Sequence, residues 1–134
     1  MFNTQGQYAQ QFYKDFDNVE ATGIWAAPQK LKIHALYSGL GRVLMFEKVS
    51  ALQTNPGIIS FNLPDSDLAP PIKFIYPITG IDDPNAFHGP SGAILQIDTD
   101  GSCIIKYTTD DYSGSDNGGF EPFSVSYISN PTPL

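Results

Sequence analysis

The side chains able to do chemistry in this chain are mostly carboxylates, with two histidines and one cysteine beside them. Asp65 with Asp67, Asp82 with Asp83, and Asp98 with Asp100 stand close enough in sequence to flank one bond, as the acid and the nucleophile or base of a glycosidase do. Solvated loop acids are the commoner source of such pairs, because a catalytic carboxylate needs a cleft around it. His34 and His88 titrate near neutrality when unperturbed, but they fall in separate segments and spacing gives neither a partner. They read as a surface-strand histidine and a loop histidine. Cys103 is alone between Ser102 and Ile104, so it closes no internal disulfide and reads as a small core residue. No Gly-x-Ser-x-Gly, His-Glu-x-x-His, phosphate-cradling glycine loop or cysteine pair occurs, which removes the usual serine-hydrolase, zinc-protease and nucleotide chemistries. The expectation is a protein that is not an enzyme and uses no cofactor or metal.

Binding is the remaining chemistry, and it is expected in two long polar connections. Residues 82–92 and 110–119 are rich in Asp, Asn, Ser, Gly and Pro, the composition of exposed loops, where ligands are commonly met. Within them Phe87, His88, Asp110, Asp111, Tyr112 and Asp116 are the candidate ligand-binding residues, since aromatic faces beside acids and amides suit sugars. The run from Asp110 to Asn117 also has the oxygen content of a weak calcium loop, although a solvated loop accounts for it as well. Asp98-Thr99-Asp100-Gly101 lacks the glycine at the sixth place and the acid at the twelfth that a calcium loop needs. It is a turn. Trp25 and Tyr37 are assigned to packing.

Those loops need a scaffold, and the periodicity supplies one. Leu31, Ile33 and Ala35 alternate with Lys30, Lys32 and His34, and Ile59, Phe61 and Leu63 alternate with Ser60 and Asn62. Each such run has one wet and one dry face, as a half-buried strand does. Phe74, Tyr76 and Ile78, then the runs either side of Thr99-Asp100-Gly101, then Phe123, Val125 and Tyr127 repeat the pattern. Val43-Leu44-Met45-Phe46 is continuously apolar and predicts a strand covered on both sides, one of them by a partner chain. The fold class is all-β: an antiparallel two-sheet β-sandwich or jelly roll of about eight strands. Tyr8, Phe12 and Phe16 recur at every fourth position, so residues 1–18 are expected to be a short helix or arm and 19–134 the β-sandwich head domain.

At 134 residues the chain suits one domain with its own core. Seven Lys and Arg against 14 Asp and Glu give a formal charge of −7, which excludes the counterion-release binding of nucleic acid. No apolar run reaches the roughly 20 residues of a membrane span, and the first residues, Met1-Phe2-Asn3-Thr4-Gln5, lack the basic start and apolar stretch of a secretory signal. The expectation is a protein soluble when free, with neither nucleic-acid binding nor membrane insertion.

Gly57 to Pro64 with its closing Leu63-Pro64, then Pro70-Pro71, Phe74-Ile75-Tyr76-Pro77, Gly92 to Asp98, Asp100-Gly101-Ser102 and the final Phe123 to Tyr127 together resemble the head domain of tailed-phage tail-fibre and baseplate receptor-binding proteins. A related viral β-sandwich fibre knob is equally compatible. The resemblance covers roughly the last 80 residues and departs at Ala69-Pro70-Pro71, where the family commonly has Arg-Pro, so no role for that arginine is carried over. It implies a trimeric, non-enzymatic, virion-exposed head that binds host cell-surface saccharide and other virion subunits. Many copies on one particle turn a weak sugar contact into firm attachment. Two other readings stand beside it: a structural spike or capsid-decoration protein that binds viral proteins without glycan, and, ranked lower, a glycoside-active enzyme.

Overall fold

The computed structural model describes residues 11–83, 90–108 and 117–129. Among these it holds ten strands, β1 (Gln11–Ala21), β2 (Gln29–Ser38), β3 (Gly41–Phe46), β4 (Val49–Leu52), β5 (Ile58–Asn62), β6 (Phe74–Asp83), β7 (Pro90–Ile97), β8 (Ser102–Tyr107), β9 (Asn117–Phe120) and β10 (Phe123–Ile128), with a single 3-10 turn at Ser66–Leu68. Two antiparallel sheets result, ordered β1-β2-β3-β10 and β4-β9-β6-β7-β8-β5. The all-β, two-sheet expectation holds, with ten strands in place of about eight. The strands that the sequence did not mark are β1 and the short β4 and β9, the latter two of four residues each, and the glycines of β9 mute its alternation.

Alternation decides which side chains enter the core. In β2 Leu31, Ile33, Ala35 and Tyr37 are buried, while Lys30 and Lys32 are exposed. In the facing sheet Leu95 and Ile97 of β7 and Cys103 and Ile105 of β8 do the same. The two layers are joined through Phe46, which stacks on Phe123 at 4.4 Å and meets Phe61 and Phe120 edge-on at 5.9 and 6.3 Å. Rings of one sheet thus pack against rings of the other, with centroid spacings in the favoured range for aromatic pairs. Trp25 and Tyr37 are buried as expected, and the Trp25 indole N–H donates to the Gly118 carbonyl at 3.1 Å.

Of the short helix or arm expected over residues 1–18, the part described is neither but a strand of the sandwich. Gln11–Ala21 is extended and pairs with β2, Phe12 opposite Tyr37 and Phe16 opposite Ile33. A spacing of four is even, so it keeps residues on one face of a strand as well as on one face of a helix. Phe12 stacks on Tyr37 at 4.5 Å and Phe16 packs against the core, so both aromatics meet the sandwich from the edge strand. β1 also runs across residue 18, the expected domain boundary; residues 1–10 lie outside the described residues.

Two glycines are required by close approach or by a turn. Gly23 has φ +127°, and a Cβ there would collide with the Ile58 carbonyl oxygen, where β1 crosses to β5 through the Thr22–Ser60 bridge. Gly101, at φ +89°, closes the β7–β8 hairpin with its N–H donating to the Asp98 carbonyl at 3.0 Å. The Asp100 carboxylate accepts from both the N–H and the hydroxyl of Ser102, at 2.9 and 2.6 Å. Local side-chain acceptors of this kind favour the turn over a longer strand. Val43–Phe46 divides by face: Leu44 and Phe46 are buried in the core, Val43 is half-buried on the outer side and Met45 is exposed there.

Candidate binding groove

Phe87, His88, Asp110, Asp111, Tyr112 and Asp116, singled out from sequence as ligand-binding, all lie outside the described residues. Within the described residues, a well-defined groove lies elsewhere. It is built by an irregularity in β1. Phe16 pairs with Ile33 and Val19 with Leu31, so three steps along β1 match two along β2 and one residue is extra. Such a bulge bends the strand away from its neighbour. The bend opens a groove of about 570 Å³ between Asp15–Glu20 and the end of β5 at Asn62, Leu63 and Pro64. Val19 is buried at its base and Phe16 and Leu63 are half-buried, while Asp15, Asp17, Asn18, Glu20 and Asn62 are exposed around it.

Hydrogen bonds fix the groove's neighbours. His34 of β2 places Nδ1 2.6 Å from the Asp15 carboxylate and Nε2 2.6 Å from the Glu47 carboxylate. With both carboxylates ionised, each nitrogen must carry a proton. The bond to Asp15 and then that to Glu47 hold the imidazole above its ordinary pKa, against a smaller opposing effect of burial. The partners that spacing could not show are thus supplied by strand pairing, since Asp15 lies directly across from His34. One turn further, Asp65 accepts from the Tyr37 hydroxyl at 2.6 Å and from the Asp67 N–H at 3.0 Å, and Lys14 Nζ lies 3.5 Å away. Partial burial pushes the Asp65 carboxyl up, but these donors outweigh it and leave it below the usual carboxylate range. Burial first, then the Asp65 bond, pushes the Tyr37 phenol up.

Arg42 completes this corner from inside. It is buried, its Nε donates to the Asp67 carbonyl at 3.0 Å, and one terminal nitrogen donates to the Gly39 and Gly41 carbonyls at 2.7 Å. Its guanidinium lies 4.8 Å from the Tyr37 ring centre, a cation–π distance. The 3-10 turn is therefore tied to the four-stranded sheet, with Tyr127 donating to the Leu68 carbonyl at 2.6 Å as a further tether.

Chemically, the groove offers acceptors above an apolar base and has no cation in its lining. That arrangement suits hydroxyl groups on a molecule with some C–H surface and repels anions. It does not suit acyl or glycosyl transfer through a covalent intermediate on cysteine. The Cys103 thiol is buried, and burial pushes it up to about 12, far from the depressed range of a nucleophile. His34 has both nitrogens engaged. The acids lining the groove stand in water, without the apolar enclosure around a glycosidase acid. Among the described residues no group of three or more His, Cys, Asp or Glu could hold a metal ion, and no helix is long and apolar enough to cross a membrane.

A scan of protein-family models and a search of curated proteins both return no match for the chain. The fold does match solved structures. It is similar to a reovirus attachment protein, sigma1, determined in complex with α-2,3-sialyllactose, with a TM-score of 0.62 and 14% sequence identity over 95% of this chain and 69% of that one. At that identity the likeness is one of fold.

Proposed function

We propose that this chain is a virion attachment head, of the kind carried on tailed-phage fibres or baseplates, that recognises a host-surface saccharide non-enzymatically as a trimer. The observation that carries this reading is the fold likeness to a viral attachment protein across 95% of the chain. The motifs from Gly57 to Tyr127 support the phage assignment. The β1 groove supports saccharide recognition, because its acceptors and apolar base match the two surfaces of a sugar ring.

The ligand differs in charge from the one bound by sigma1. Sialyllactose carries a carboxylate, whereas this chain has a formal charge of −7 and a groove lined by Asp15, Asp17 and Glu20. A neutral saccharide meets no such repulsion. The test is a glycan array followed by host-cell adsorption, with folded protein. Neutral glycans should register and sialylated ones should not. Replacing Asp17 and Glu20 by alanine should weaken binding about 10- to 150-fold, the range for losing a hydrogen bond to a charged acceptor. A blank array together with absent adsorption would dispose of the saccharide reading. Binding to purified virions but not to cells would favour a structural spike or decoration role.

A further inference from the structure

We infer that the outer face of the six-stranded sheet, over β5 to β8, is buried against a second copy of this chain. Register places Ile75, Ile94 and Ile104 outward on three adjacent strands, with Gln96 between Ile75 and Ile104 and with Ile58 opposite Lys106 at the sheet's end. Ile75, Ile94 and Ile58 are 58%, 38% and 37% exposed. Isoleucines gathered on neighbouring strands form one contiguous apolar patch, unlike the scattered exposed residues of an ordinary surface. Leu95, Ile97, Cys103 and Ile105 fill the opposite side, so the outward isoleucines of β7 and β8 lie on the back of strands whose inner face is already packed and take no part in the core.

Charge selects the occupant. Two chains of formal charge −7 repel wherever their carboxylates approach. Among the described side chains, this face carries Lys106 as its sole formal charge and no carboxylate, so it is where identical copies can meet at least electrostatic cost. The shape agrees. The face is not flat but contains a concavity of about 410 Å³ between Ile75, Ile94, Ile104 and the stem of Lys106, which can take an apolar side chain of a neighbouring copy. The contact rests on the self-association proposed above but not on saccharide binding.

Light scattering on the purified chain at micromolar concentration tests it. The wild type should have the mass of more than one copy. Ile94→Lys and, separately, Ile75→Lys should weaken association on the order of a hundredfold or more, since each would place an unpaired charge inside the contact. Both positions already meet water in one copy, so a cooperative melt should persist. Ser124→Lys, on the outer face of the other sheet, should leave the mass unchanged. A wild type with the mass of one copy overturns the inference and leaves the face to a different partner. An oligomer untouched by both isoleucine substitutions also overturns it. Loss of glycan binding with the oligomer intact would count against the saccharide reading only.

Discussion

The outer faces of the two sheets share strand geometry but not their dealings with water. On the four-stranded sheet, Lys30, Lys32 and His34 point outward from β2, and Asp15 and Glu47 close on His34 from either side. On the six-stranded sheet the equivalent positions of β6, β7 and β8 are Ile75, Ile94 and Ile104. The inner faces are alike, both aliphatic with aromatics at the join. The difference teaches that the core sets only one side of each strand. The other side is free to be charged and bracketed or apolar and adhesive, and it reports what the face meets.

The largest effect should come from the side the sheets share. Leu44→Ala in β3 and Leu95→Ala in β7 remove fully buried side chains, and each should lower unfolding free energy by about 2–5 kcal/mol in a denaturant titration. If one were nearly neutral, the inner faces would not be equivalent. Next is Tyr37→Phe, which removes the hydroxyl donating to Asp65 and should cost about 1.5–3 kcal/mol, the range for a bond to a charged group. Its pH signature is specific. Because the folded Asp65 pKa is depressed below 3.8, its contribution is present above that value and is lost as pH falls through the lower folded pKa. Melting curves in acid should therefore converge for wild type and Tyr37→Phe.

His34 gives the opposite sign and a smaller effect. Its folded pKa is raised above 6.5 by Asp15 and Glu47, so its contribution is full below 6.5 and is lost as pH rises through the higher folded value. His34→Gln should flatten that alkaline decline in melting temperature, and high salt should shrink it. The smallest effect belongs to the apolar face within a single copy. Ile75→Thr should change the stability of an isolated copy by about 0.5 kcal/mol or less, while altering association more. Equal effects on both would erase the contrast between the faces.

Much of the scaffold was legible in the sequence because period-two burial is written residue by residue: Leu31 to Ala35, Ile59 to Asn62 and the Asp100-Gly101 turn all appear as read. Phe12 and Phe16 misled because a spacing of four does not discriminate strand from helix. The groove was illegible for a different reason. A bulge is a mismatch between two strands, Phe16 to Val19 against Ile33 to Leu31, and neither strand records it alone. His34 likewise gains its carboxylates only through pairing. The apolar outer face did leave a signal, the uninterrupted runs Ala93-Ile94-Leu95 and Cys103-Ile104-Ile105, of the same type that drew attention to Val43–Phe46. The six loop residues proposed for ligand contact remain proposals.

The extra residue in β1 also governs what that rim of the molecule refuses. β1 is the terminal strand of its sheet, and an unbroken terminal strand offers its free backbone groups as a template for a neighbour's strand. Here the hydrogen-bonding rhythm is interrupted midway, and Lys14, Asp15, Asp17 and Glu20 are exposed along it. Chains crowded side by side are thereby kept from zipping together along β1.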